Sequence, residues 1–117
     1  MEVVPFEIAK KLKEKGFREK CYKHYYPNSK DWFISSSPEC SNYSSYLDAP
    51  TISQVLKWLR EKCGIFISIY YDCKFKIWLY GVLIMKNGEF KLKDEKTYKT
   101  YELACLAGIG YAIDNLI

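Results

Sequence analysis

The sequence predicts an α+β fold: an antiparallel sheet of three to five strands, two helices packed on one face, and a further N-terminal helix. Three observations predict it. Residues 52–63 and 100–117 carry apolar side chains at helical spacing. Residues 65–92 alternate with a period of two and are broken by turn signals. The breaks are only a few residues long, which suits antiparallel neighbours and is too short for parallel crossovers. At 117 residues the chain is sized for one domain, 1–117.

The first helix begins near Pro5, a residue suited to a first helical turn, and runs through Leu12 to a stop at Gly16. Phe6, Ala9 and Leu12 form its apolar stripe, with Ile8 beside them. The second helix has the clearest boundaries. Thr51 and Gln54 make a Thr-x-x-Gln capping box, and Gly64 is a natural residue just past the end. Ile52, Val55, Leu56, Leu59 and Cys63 share one face, with Trp58 at its flank. The third helix starts at Thr100. Tyr101, Ala104, Cys105, Gly108, Ile109, Ala112 and Leu116 fall on its buried side, and the small residues among them let it approach a sheet closely.

Strand register follows from the turns. Asn87-Gly88 signals a two-residue type I′ hairpin, pairing Met85 with Phe90 and Leu83 with Leu92. A three-residue loop, Asp72-Cys73-Lys74, pairs Tyr71 with Phe75, Ile69 with Ile77 and Ile67 with Leu79. Ile65, Ile67, Ile69, Phe75, Ile77, Leu79, Leu83, Met85, Phe90 and Leu92 then form one face, expected beneath the second and third helices. The opposite face holds Phe66, Tyr70, Trp78, Tyr80 and Ile84, edged by Lys76, Lys91 and Lys93. Residues 21–26 and 32–35 read as two more strands around Pro27-Asn28-Ser29-Lys30-Asp31, followed by a Ser-rich loop from Ser35 to Ser45. Helix, glycine and aromatic hairpin occur in that order twice, as an internal duplication would leave them, but the lengths differ and one match is weak.

Composition narrows the function classes. The net charge of +4 is mild for a dedicated DNA-binding domain. No apolar run reaches the ~20 residues that span a bilayer. Met1-Glu2-Val3-Val4-Pro5 lacks the basic start and apolar core of a signal peptide, so a cytoplasmic protein with no membrane partner is expected. Five cysteines, at 21, 40, 63, 73 and 105, are an odd number without paired spacing. Reduced thiols are therefore expected, with no disulfide framework.

The segments "APTISQVLKWLREKCGIFISIY", "YKTYELACLAGIGYAIDNLI" and "KLKEKGFREKCY" resemble a family of short uncharacterised proteins encoded by phages, prophages and mobile elements of Bacteroides-type bacteria. The resemblance extends over nearly the whole chain and implies no known catalytic residues.

Sites of chemistry are sparse. Cys21 and His24 have a ligand-like spacing, but structural zinc uses two close pairs and only one exists here. With a single histidine, no Gly-x-Ser-x-Gly and no phosphate loop, no catalytic residue is assigned, and neither metal nor cofactor is expected. The remaining candidate is the aromatic face of Phe66, Tyr70, Lys76, Trp78, Tyr80, Lys91 and Lys93. Residues 17–50 are expected to cover its Phe66, Trp78 and Tyr80. Left open, the face would bind a protein partner or stack nucleobases between lysines. The expected function is a non-enzymatic interaction module, an accessory protein of a phage or mobile element that binds a protein partner. Nucleic-acid binding is the alternative, and a homo-oligomer is a further option.

Overall fold

Two glycines with left-handed backbone, Gly16 and Gly64, close the first two helices. In the computed structural model, residues 3–26, 29–39 and 46–117 are described. Pro27, Asn28, Cys40 and the 40–45 stretch of the Ser-rich loop lie outside the described residues. Contacts divide the chain into two compact units, Met1–Gln54 and Val55–Ile117, with the division inside a helix.

In the first unit, α1 (Phe6–Glu14) starts at Pro5 and is closed by Gly16 at φ +92°. The Phe17 amide then donates to the Leu12 carbonyl (3.0 Å), and Ala9, Leu12 and Phe17 are buried. The strands β1 (Cys21–Tyr25), β2 (Trp32–Glu39) and β3 (Leu47–Asp48) form a sheet of order β2-β1-β3, antiparallel throughout. Trp32 starts the second strand as expected, but the strand runs on past Ser35 to Glu39, which pairs with Cys21 across a register shift. Part of the expected Ser-rich loop is therefore strand. Tyr25 packs edge-on against Phe6 of α1 (5.3 Å between ring centroids), and its hydroxyl donates to the Val4 carbonyl (2.8 Å).

The helix α2 (Ile52–Lys62) begins with the expected capping box. The Gln54 amide donates to Thr51 Oγ1 (3.1 Å), and Gln54 Oε1 accepts from the Thr51 amide (2.9 Å). Val55, Trp58 and Leu59 are buried, so Trp58 sits further inside than its flank position suggests.

In the second unit, β4 (Ile65–Asp72), β5 (Ile77–Ile84) and β6 (Glu89–Tyr98) form an antiparallel sheet in sequence order, followed by α3 (Tyr101–Asn115). Thr100 caps α3, its hydroxyl accepting from the Leu103 amide (3.1 Å). Ala104, Cys105, Gly108, Ile109, Ala112 and Ile113 are buried along it. At Gly108 a Cβ would lie 2.6 Å from Ile67 Cγ2 and 3.2 Å from Tyr80 Cδ2, so only glycine permits this approach of helix to sheet.

That contact identifies the buried face, and it differs from the expected one. The β4–β5 loop has four residues, Cys73 to Lys76, so Asp72 pairs with Ile77, Tyr71 with Trp78 and Ile67 with Val82. Asp72 sets this loop: its Oδ1 accepts from the Lys74 and Phe75 amides (2.9 and 3.2 Å), and Lys76 closes it at φ 55°. One residue more than expected inverts β5. Tyr80 and Val82 therefore join Ile65 and Ile67 beneath α3, while Ile77, Leu79 and Leu83 turn to the other side. The β5–β6 turn is also longer, Met85 to Gly88. Asn87 keeps an ordinary φ and uses its side chain to accept from the Glu89 amide (2.9 Å); only Gly88 is left-handed, at φ +73°. A type I′ turn needs positive φ at both positions. Leu83 consequently pairs with Phe90, and Gly81 with Leu92.

The helix–glycine–hairpin order does recur, with Gly16 and Gly64 both left-handed. The sheets differ, however: β1 is central in its sheet, whereas β4 is an edge strand.

Candidate functional site

The corrected register splits the expected aromatic face between the two sides of the second sheet. Phe66 and Tyr70 remain on the side away from α3. They share it with Ser68, Ile77, Leu79, Gly81, Leu83, Phe90 and Leu92, and with Asp72 at the end beside the β4–β5 loop. Phe66, Tyr70, Phe90 and Leu92 are exposed by 39%, 43%, 48% and 45%. Phe90 lies across Gly81, where a Cβ would come within 2.7 Å of its ring. The aromatic ring thus covers the glycine, and the face is smooth as well as apolar.

Trp78, Tyr80, Lys91 and Lys93 belong to the α3 side. Trp78 is half-buried, edge-on to Tyr101 of α3 (5.5 Å) and 4.8 Å from Tyr71. Tyr80 is buried against Gly108. Its cover is α3 of its own unit, where residues 17–50 were expected to supply it. Lys91 pairs with Glu89 (3.5 Å) at the surface. Lys76 belongs to neither face, since it closes the β4–β5 loop.

Lys93 and Tyr80 border a groove of about 430 Å³ between β6 and α3. It owes its width to an irregularity in the sheet. Tyr80 pairs with Lys93 and Trp78 with Tyr98, so two steps along β5 correspond to five along β6. The three extra residues of β6 bow outward. On the helix side, Ala107, Gly110, Tyr111 and Asp114 recur at helical spacing, and the two small residues leave the space open. The Tyr80 ring lies 6.2 Å from Tyr98 and 6.4 Å from Tyr111. Burial, together with the neighbouring Tyr98, Glu95 and Tyr111, pushes the Tyr80 hydroxyl up to about 12. It therefore stays protonated throughout the physiological range and is a hydrogen-bond donor.

The single histidine sits in the other unit. His24 is 0% exposed and Asp48 1%; they face each other across β1 and β3, with Nδ1 to Oδ1 2.9 Å. His24 Nε2 is 3.2 Å from Ser35 Oγ on β2. The connectivity Ser–His–Asp is that of a hydrolase triad, but Ser35 Oγ also lies against two backbone carbonyls. Ser35 Oγ is 2.7 Å from the Ser37 carbonyl and 3.1 Å from that of Tyr22, and a hydroxyl has one proton. Two backbone carbonyls thus compete with Nε2 for that proton, and the hydroxyl is not dedicated to the imidazole. The imidazole is a buried polar link joining all three strands of its sheet. Asp48 was not singled out from the sequence; a histidine and an aspartate 24 residues apart carry no local signal.

Cys21, Cys63, Cys73 and Cys105 are free thiols, with Cys21 Sγ directed at the Glu19 carbonyl (3.6 Å). Burial raises Cys63 and Cys105 above the usual thiol range, which disfavours reactive thiolates. No group of three metal-ligating side chains occurs among the described residues, and no helix among them is long and apolar enough to cross a membrane. Compared with family models, curated proteins and solved structures, the chain matches none.

Proposed function

We propose that this protein is a non-enzymatic interaction module that binds a protein partner through the sheet face of Phe66, Tyr70, Phe90 and Leu92. The observation that carries the reading is the concentration of four large exposed apolar side chains on one sheet face. With roughly 150–250 Å² per aromatic side chain, they leave about 300–400 Å² of apolar surface in solvent. A contiguous patch of that size on a soluble chain is often functional. An apolar patch fits an apolar surface on the partner. The resemblance to phage and mobile-element proteins supports an accessory role in a bacterial cytoplasm. The complete burial of His24 and the raised thiols support the non-enzymatic part of the reading.

A photo-crosslinking amino acid at Phe66 or Phe90 tests it in extracts of the native cell. One discrete protein adduct is expected at both positions, absent from a control at Tyr22 and abolished by Leu92→Glu. Leu92→Glu itself is expected to shift stability by no more than about 0.5 kcal/mol. Adducts identical to those of the control position contradict the reading.

A further inference from the structure

We infer that the groove between β6 and α3 is a nucleotide-binding site, taking a planar base among Tyr80, Tyr98 and Tyr111 and a phosphate at Lys93 and Lys96. It is separate from the sheet face proposed for the protein partner and lies on the other side of the same sheet.

The shape comes first. A regular β6 would run alongside β5 and close this space, yet β6 carries three extra residues between Lys93 and Tyr98. Bulges of this kind are frequent beside functional sites, where they re-aim side chains. Here the bulge sends Glu95, Lys96 and Tyr98 toward one wall of the groove, opposite Tyr111 and Asp114. The resulting volume, about 430 Å³, lies in the range of small-molecule sites.

The lining then selects the ligand. Tyr98 and Tyr111 are half-buried and present ring surface, while Tyr80 forms the floor. Flat π-surfaces on two walls suit a planar ring, and base stacking on tyrosine is tolerant of which base is bound. The neutral Tyr80 hydroxyl is a donor at the floor. Lys93 already holds its ammonium over the Tyr111 ring, 4.3 Å from its centroid, and 3.7 Å from Glu95, so a cation lies on the Tyr111 wall and the base stacks on Tyr98. Lys96 provides a second one on the same strand. Lys93 is shared with Glu95, so Lys96 is the main contact for a phosphate monoester. With Glu95 and Asp114 the lining has a net charge of zero, which disfavours polyphosphates.

The same chemistry is presented by a free mononucleotide and by one nucleotide of a single strand. Titration of the full chain with AMP, GMP, CMP and UMP, and with oligo(dA) of increasing length, separates these sources. Saturable 1:1 binding is expected, with perturbed amide resonances at Tyr98 and Tyr111. Affinity independent of length identifies the free nucleotide. Affinity that rises with length and falls steeply with salt identifies the strand. Tyr98→Ala and Lys96→Ala should each weaken binding about tenfold, while Tyr98→Phe, which keeps the ring and guards against a folding artefact, retains it. Ribose 5-phosphate, lacking the base, should bind at least about tenfold more weakly than AMP. Phe66→Ser, on the opposite face, should leave nucleotide binding unchanged whether or not the protein-binding reading holds. Absence of saturable binding to every nucleotide and strand overturns the inference. So does binding that Tyr98→Ala and Lys96→Ala leave intact.

Discussion

Replacement of His24 by alanine is expected to lower the stability of the protein by about 2–4 kcal/mol, from the loss of a buried hydrogen-bonded ring and the cavity it leaves. His24 and Asp48 are both sealed from solvent, and the imidazole bonds Asp48 on β3 and Ser35 on β2 from its place on the central strand. Alanine removes the imidazole from its 2.9 Å contact with the buried Asp48 side chain, and losing a buried hydrogen bond costs about 1–3 kcal/mol. It also removes ring contacts to Phe33, which lies 5.3 Å away. A small domain has only about 5–15 kcal/mol in total, so a large part of the unfolding free energy is at stake. Urea unfolding followed by circular dichroism reads the loss directly. A change below about 1 kcal/mol would mean that the pair is hydrated and the link between strands is not structural.

Ile67→Ala is expected to cost about 2–5 kcal/mol, and Ile77→Ala only about 1 kcal/mol. Ile67 is buried against Gly108 of α3, and its Cγ2 leaves no room even for a methyl on that glycine. Truncation opens a cavity that a close-packed helix cannot collapse to fill. Ile77 is half-buried on the other side of the sheet, at the end of β5 beside the loop, where neighbours and water adjust more easily. The two substitutions remove the same atoms, so the difference between them reports which face is the core. Equal losses would restore the register in which Ile67 and Ile77 share one face.

The difference between those isoleucines also marks how far the sequence was legible. Helix boundaries were readable because their signals are local: Pro5 and Gly16, Thr51 with Gln54, and Thr100 all act within one turn of the helix they bound. The small residues of α3 correctly indicated a close approach, realised at Gly108. Strand faces were less legible, because parity across a hairpin depends on the exact loop length. Asp72 and Asn87 cap backbone amides with their side chains, and this favours four-residue turns over the shorter ones expected. The inversion of β5 moved Tyr80 into the core and divided the candidate site residues between two faces. The groove was not legible at all. It depends on a bulge in β6 and on Tyr111, a residue of α3 whose spacing shows only that it lies beside the buried stripe.

Hydroxyl-radical footprinting of the free protein, read by mass spectrometry residue by residue, tests the central claim most directly. The claim is that the sheet buries Tyr80 and Val82 under α3 and leaves Phe66, Tyr70, Phe90 and Leu92 open. The account predicts rapid oxidation of Phe66, Tyr70 and Phe90 and protection of Tyr80, a comparison in which Tyr70 and Tyr80 share the same intrinsic chemistry. Oxidation of Tyr80 as fast as Tyr70, with Phe66 and Phe90 protected, would contradict it.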